Sequence, residues 1–166
     1  MRIKLVATLF ILTSWSSGIA QDIQFSQFYA AALYQNPAFS GSTHETRLTM
    51  HSRLQWVGLE ADYNTIYASA DFHLDNHNSG IGGYILRDVQ GESSISSTEV
   101  KLQYAYEVLI NKAITFRPGI QAGITSRALD YSSLYFPDQY NNNGYLGATN
   151  ENYDGKDQKM FFDVSF

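Results

Sequence analysis

The chain has 166 residues, no cysteine, and sixteen acidic against eleven basic residues. The lack of cysteine excludes a small disulfide-framed scaffold. The acidic balance argues against a nucleic-acid partner, because phosphate binding needs clustered Lys and Arg. After residue 20 no stretch approaches the roughly 18 consecutive apolar residues that indicate a membrane-spanning helix, so any membrane span would be built from strands.

Residues 1–20 have the pattern of a secretory signal peptide. Arg2 and Lys4 supply a positive start, Leu5 to Trp15 an apolar core, and Gly18 to Ala20 a small-residue cleavage site. The apolar core is shorter than the roughly 20 residues that a spanning helix requires. We therefore expect cleavage before Gln21 and export, which leaves nine basic against sixteen acidic residues and a net charge of −7.

Five segments alternate between apolar and polar residues with period two, which is typical of strands with unlike faces. They run from Thr46 to Trp56, Asn64 to Leu74, Gly80 to Arg87, Thr98 to Val108 and Ile114 to Arg127, and a sixth strand is predicted from Met160 to Phe166. Several are about eleven residues long, which exceeds the usual five or six and suits a tilted membrane-spanning strand.

The two faces of these strands differ in kind, since one of them carries full charges in mid-strand. We predict a polar interior for Arg53, Asp71, Lys101 and Arg117. The opposite, lipid-facing positions should include Leu48, Met50, Ile66, Ala68, Leu102 and Ile120. A water-filled barrel lumen and a lipid-exposed outer face would together produce this division.

The lengths of the predicted connections indicate an orientation. Asp75–Ser79 and Leu109–Lys112 are short, whereas Val57–Tyr63, Asp88–Ser97 and above all Ala128–Lys159 are longer. Outer-membrane barrels have short periplasmic turns and longer outer loops, so Thr46 should begin in the periplasm.

The predicted fold class is therefore all-β, an antiparallel transmembrane β-barrel. Residues 46–166 would form about six strands of it, with a long outer loop at 128–159, and residues 21–45 would form an aromatic periplasmic segment. Six strands are too few to close a barrel, for which about eight are needed, and an open edge is not stable in hydrocarbon. We therefore expect this chain to be the front part of a longer barrel.

The segment QFSQFYAAALYQNPAFSG, from Gln24 to Gly41, is aromatic and nearly uncharged. Its Asn36-Pro37 pair predicts a turn, and Gly41 gives flexibility before the first strand. Its aromatics should pack inside a barrel mouth or against its periplasmic rim, with direct docking of a partner as the alternative. They are Phe25, Phe28, Tyr29, Tyr34 and Phe39.

This segment resembles the N-terminal signature of the PorP/SprF family, outer-membrane proteins of the type IX secretion and gliding machinery of Bacteroidetes. The matching positions are Asp22, Gln24, Phe25, Ser26, Gln27, Asn36, Pro37, Ala38 and Gly41, followed by RLQW (Arg53–Trp56), GIGGYILRD (Gly80–Asp88) and YAYEV (Tyr104–Val108). Phe28 stands where the family usually has Tyr. The resemblance covers most of residues 22–166.

The resemblance implies a non-enzymatic outer-membrane component that retains exported proteins such as adhesins at the cell surface and touches periplasmic parts of the machine. It implies no cofactor and no catalytic or metal site. The family-motif positions we single out are Gln24, Phe25, Ser26, Gln27, Asn36, Pro37, Gly41, Gln55, Trp56 and Asp88. The aromatics of the long loop, as candidates for holding a partner, are Tyr135, Phe136, Tyr140, Tyr145 and Tyr153.

Other classes of function remain open from the residues alone. The four His residues have no tight ligand spacing, which argues against a metal site. No nucleophile elbow accompanies the many Ser residues. The alternatives are a general outer-membrane channel or barrel enzyme, and a secreted soluble carbohydrate-binding β-sandwich.

Overall fold

The computed structural model describes residue 25 and residues 27–43, 45–58, 62–91, 95–131, 136–141, 144–145 and 155–166. The expected signal peptide lies outside these residues. One short helix, α1 (Ala32–Gln35), lies between 3-10 turns at Phe28–Ala30 and Pro37–Phe39. The strands of the described part are β1 (Arg47–Gln55), β2 (Tyr63–Leu74), β3 (Ser79–Gln90), β4 (Ile95–Tyr106), β5 (Val108–Asn111), β6 (Ile114–Phe116), β7 (Gly119–Asp130), β8 (Tyr140–Asn141), β9 (Gly144–Tyr145) and β10 (Lys156–Ser165).

Six of these strands form one sheet in the order β1-β2-β3-β4-β7-β10, and every neighbouring pair is antiparallel. Within the described residues the sheet is open, with β1 and β10 as its edges. The pairs β5-β6 and β8-β9 form separate two-stranded hairpins. The prediction of an all-β antiparallel fold is confirmed. No described helix is long and apolar enough to cross a membrane.

The predicted alternation of faces is confirmed by burial. Met50 is 80% exposed and Leu102 71%, whereas Asp71 is fully buried and Lys101 is 3% exposed. Register places most of the exposed large side chains of successive strands on one side, which we call the apolar face. It carries Leu48, Met50, Ile66, Phe72, Ile85, Val100, Leu102, Ile120, Ile124 and Phe162. The opposite side, the polar face, carries the buried charges. Ala68 also lies on the apolar face but is half-buried between its larger neighbours.

The predicted end of the fourth strand and the predicted start of the fifth strand are wrong, because the sheet strands are interrupted there. β4 ends at Tyr106, and β7 begins only at Gly119, after Pro118. Pro118 has no N–H to donate to a ladder, and the Glu107 N–H donates instead to the Asn78 carbonyl at 2.7 Å. Beyond this break the chain continues as the β5-β6 hairpin. Residues 109–111, predicted as a turn, therefore lie in β5.

The connections differ in length from the prediction. β7 extends to Asp130 and β10 begins at Lys156, so the long connection covers 131–155 rather than 128–159. β3 and β4 are also longer than expected, which shortens their link to 91–94, the same length as the 75–78 link between β2 and β3. The simple alternation of short and long connections is therefore wrong. The connection at 131–155 remains the longest, so the end of the sheet that carries it still has more connecting chain than the other end.

Candidate functional site

The N-terminal segment, residues 27–43 together with Phe25, lies on the polar face at the end of the sheet where β3 begins. A β-carbon built on Gly80, at the start of β3, would lie 1.9 Å from the Ser40 carbonyl oxygen. The two backbones are therefore in direct contact, and only glycine leaves room for that approach. The Gly41 N–H and carbonyl both bond to side chains of β2, as described below.

The segment packs against one row of residues that runs across the strands on the polar face. Register aligns Arg47, Asp71, Gly82, Gln103, Gln121 and Ser165 across all six strands, and we call this set the central row. At Gly82 the row has no side chain, and the Leu33 and Ser40 side chains of the segment occupy the space above it. Leu33 is almost completely buried there. The segment thus fills the gap in the row.

Asp71 forms the first anchor of the segment. Its carboxylate accepts from Arg47 Nε at 2.9 Å and from an Arg47 terminal nitrogen at 3.0 Å, and from the Gly41 N–H at 2.8 Å. A fully buried carboxylate needs this number of donors, since an unpaired charge would be strongly destabilising. His73, next along the same face of β2, lies with Nδ1 3.0 Å from the Gly41 carbonyl oxygen. β2 therefore holds Gly41 at both its N–H and its carbonyl.

Gln103 forms the second anchor and continues the central row. Its Nε2 donates to the Leu33 carbonyl at 2.6 Å and to Gln121 Oε1 at 2.8 Å, while its Oε1 accepts from the Ser40 hydroxyl at 3.1 Å. Gln121 Nε2 then donates to the Ser165 hydroxyl at 2.7 Å. The hydrogen bonds run from the segment to β10 through neutral side chains.

Arg117, just before β7, forms the third anchor. Its Nε donates to the Ala38 carbonyl at 3.2 Å and a terminal nitrogen donates to the Ser40 carbonyl at 2.8 Å. Glu107 pairs with the same guanidinium. From the edge strand β1, on the same face, Arg47 donates to the intervening carbonyl, that of Phe39, at 3.2 Å. Three successive peptide carbonyls are thus bound by two arginines.

This convergence requires a curved sheet. β1 and β7 are four strand spacings apart, which is roughly 19 Å in a flat sheet, and the side chains of a flat sheet stand perpendicular to it. Arg47 and Arg117 nevertheless reach adjacent carbonyls of Phe39 and Ser40. The sheet therefore curls around the segment, with the polar face on the inside.

An aromatic cluster lies beside the anchors, nearer the middle of the strands. The Phe25 ring packs edge-on against Tyr34 and Tyr67 with centroids 5.4 Å away in each case, and Tyr34 packs against Tyr84 at 5.8 Å. Tyr67 is fully buried. The expectation that the segment's aromatics pack against the sheet is met by Phe25 and Tyr34.

The same expectation is wrong for the other three aromatics of the segment. Phe28 is 63% exposed and Tyr29 69%, and they pack edge-on against each other with centroids 5.9 Å apart. Phe39 is also exposed. The Phe39 ring lies on the turn whose backbone carbonyls are bound by Arg47 and Arg117, and the Phe28–Ala30 turn contains no buried residue.

The structure separates the predicted motif positions into two groups. Asn36, Pro37 and Gly41 belong to the segment: Asn36 Oδ1 accepts from the Ala38 N–H at 2.8 Å, Pro37 is buried, and Gly41 has a φ of 64°. Gln27 is exposed, and Gln24 and Ser26 lie outside the described residues.

The second group lies at the far end of the strands. Trp56 has a φ of 56° and packs edge-on against Tyr63 at 4.9 Å, beside Gln55, the last residue of β1. Asp88 is buried and accepts from Thr65 and Gln90, each at 2.6 Å. These residues do not meet the segment.

The predicted loop aromatics are described only in part. Tyr140 and Tyr145 are paired in the β8-β9 ladder, and the Phe136 N–H donates to Gln139 Oε1 at 2.7 Å. Tyr135 and Tyr153 lie outside the described residues. Among the described residues no group of His, Asp and Glu side chains could hold a metal ion.

Sequence reasoning missed several residues that anchor the segment. Leu33, Ser40 and Gln103 were not singled out for a role in it, and Arg117 was expected only to face inward. Arg47, at the start of β1, was assigned no role. The available signal was weak: Arg47, Gln103 and Arg117 lie on or beside three different strands, and their common partner is distant in sequence.

The chain belongs to the PorP/SprF family, because a family model for the type IX secretion system membrane protein PorP/SprF matches residues 17–166. The resemblance inferred from the sequence is therefore confirmed, and the protein is a membrane component of type IX secretion. No curated protein matches the chain, and no solved structure matches it.

Replacing Arg117 by Ala should loosen the segment. Hydrogen bonds from a charged group contribute roughly 1.5–3 kcal/mol each, so chymotrypsin should cleave near Leu33 and Tyr34 at least about tenfold faster. Cleavage rates at these sites, followed by mass spectrometry, measure the effect. Lys112→Ala, at the turn of the β5-β6 hairpin, is the control and should cleave like the wild type. Equal rates for both variants would show that Arg117 does not anchor the segment.

Proposed function

We propose that this PorP/SprF protein spans the outer membrane by its strands and acts as a non-enzymatic part of the type IX machine. It holds exported proteins at the cell surface through its long connection and meets periplasmic components through its N-terminal segment. The observation that carries this proposal is the two-faced sheet, whose exposed face is apolar and whose polar face is folded around the segment.

The height of the apolar face supports a membrane span. On β2, Ile66, Ala68, Ala70 and Phe72 occupy alternate positions of that face. The six residue-to-residue steps from Ile66 to Phe72 cover roughly 20 Å, close to the apolar band of about 25 Å on outer-membrane barrels. In the same positions a soluble sandwich would need a second packed sheet. Apart from the N-terminal segment on the polar face, the described strands outside the main sheet form only two-stranded hairpins.

The two ends of the sheet support a division of roles. The N-terminal segment lies at the end where β1, β3 and β7 begin, and the connection 131–155 lies at the opposite end. With the longer connection outside, the segment lies on the periplasmic side, where Phe28 and Tyr29 present exposed rings. Aromatic side chains are favoured anchors of protein interfaces.

A general diffusion channel is the second candidate. It is supported only by the polar face itself, and the anchors Arg47, Asp71 and Arg117 hold the segment across that face. This favours a scaffold for partners over an open pore.

The membrane span is tested by two adjacent residues of one type on opposite faces of β10. Phe162 is 85% exposed on the apolar face, and Phe161 is 48% exposed on the polar face. A charge at the bilayer midplane on the lipid side costs roughly 2–4 kcal/mol, so Phe162→Arg should deplete the protein from the outer-membrane fraction. Phe161→Arg is the matched control and should assemble normally. Equal assembly of both variants would contradict the lipid-facing assignment.

The surface role is tested by deleting residues 142–154, which spares β7 and β10. The shortened protein should remain in the membrane while exported proteins move from the cell surface into the medium. Immunoblots of both fractions measure the shift. Unchanged retention at the cell surface would contradict the role of this connection.

The periplasmic role is tested by the double substitution Phe28→Ser and Tyr29→Ser. Because both rings are exposed and pack against each other, the segment should stay bound to the sheet. Export through the machine should fall, and co-purification of periplasmic machine components should be lost. A matched Leu48→Ser variant on the apolar face should not affect that co-purification. Normal export by the double variant would contradict this assignment.

A further inference from the structure

A groove crosses the centre of the apolar face. Its floor is formed by Ala68, Ala70 and Gly83, and larger side chains such as Met50, Ile85 and Leu102 form its walls. It is a shallow depression that is open to its surroundings, with a volume of about 460 Å³, and carbon atoms make up most of its lining. The groove exists because Ala70 of β2 pairs with Gly83 of β3, and Ala68 follows on the same face of β2, so that three small residues adjoin.

A single charge lies beside this groove. Arg87 follows Gly83 and Ile85 at alternate positions of β3, so it is exposed on the same face, roughly 7 Å beyond Ile85. No hydrogen bond or ion pair involves Arg87 within the described part of the chain. The other charged positions of this face in the main sheet are Asp130 and Lys156. They are register partners at the end of β7 and the start of β10, next to the long connection.

We propose that the groove and Arg87 together bind one anionic lipid, with an acyl chain in the groove and a phosphate on the guanidinium. The inference rests on the proposed membrane span and goes beyond it. Along β3, Gly83 of the floor is followed by Ile85 of the wall and then by Arg87. The apolar groove and the cation are therefore arranged in the same order as the acyl chain and the charged headgroup of a lipid. The long connection lies toward the Arg87 end of the strand.

Charge complementarity decides between a lipid and another apolar partner. A guanidinium on a hydrocarbon-facing surface is costly unless it reaches the interface or an anion. Its planar fork of donors matches phosphate oxygens in bidentate geometry. An apolar protein partner would fill the groove but leave the charge unpaired. A phosphate-bearing lipid satisfies both features.

The test uses the chain extracted from membranes in detergent and analysed by native mass spectrometry. Phosphatidylglycerol and phosphatidylcholine with identical acyl chains are the probes, and the phosphorylated glycolipid lipid A is a competitor. The wild type should retain phosphatidylglycerol about fivefold over phosphatidylcholine, the effect of one basic residue near an anionic headgroup. Displacement by lipid A would identify the glycolipid as the source of the phosphate, and lack of displacement would identify the phospholipid.

Three variants and one control separate the two halves of the site. Arg87→Gln should abolish the preference for phosphatidylglycerol, and Arg87→Lys should keep most of it. Ala70→Leu, which fills the floor, should reduce the retention of both lipids. Ala122→Leu is the control, because Ala122 shares the register row of Ala70 and Leu102 but does not line the groove.

The possible failures are distinguishable. A membrane-embedded chain that shows no preference, or a preference that survives Arg87→Gln, overturns the lipid site alone. Equal losses in Ala70→Leu and Ala122→Leu overturn the role of the groove. A chain that is absent from the membrane fraction overturns the proposed span together with this site.

Discussion

The binding of three successive carbonyls, those of Ala38, Phe39 and Ser40, by Arg47 and Arg117 is the interaction on which the rest of the structure depends. It joins β1 to the start of β7 through a segment that belongs to neither. Among the described residues, only the segment links the first and fifth strands of the sheet in this way, since three strands separate them. The same hydrogen bonds therefore determine both the curvature of the sheet and the position of the segment.

The buried charges make the segment and the sheet dependent on each other. Asp71 is fully buried, and water is replaced there by Arg47 and by the Gly41 N–H. Removing the segment would leave the carboxylate with fewer donors, which is costly in a low-dielectric interior. The segment in turn has few hydrogen bonds of its own beyond a short helix and two turns. The segment therefore supplies a hydrogen-bond donor to the buried carboxylate, and the sheet supplies the hydrogen bonds that hold the segment in place.

The sequence predicted the strands and their faces well because period-two alternation is a local signal. It predicted the breaks at Glu107 and Pro118 poorly, since the apolar pattern continues through them into the β5-β6 hairpin. The anchors could not be predicted, because Gln103 lies 70 residues from its partner Leu33 and a lone Gln on a strand carries no sign of its partner. The exposure of Phe28 and Tyr29 was also missed, since composition does not show which side of a turn is covered.

The two ends of the polar face satisfy their polar groups in different ways. Near the segment, Asp71 and Gln103 are bonded to the segment's backbone. Toward the long connection, Asp88 is instead bonded to its neighbours Thr65 and Gln90. That second end therefore keeps its structure without help from the segment. Structural changes at that end leave Asp71 covered, because the hydrogen bonds that join the segment to the sheet all lie at the opposite end.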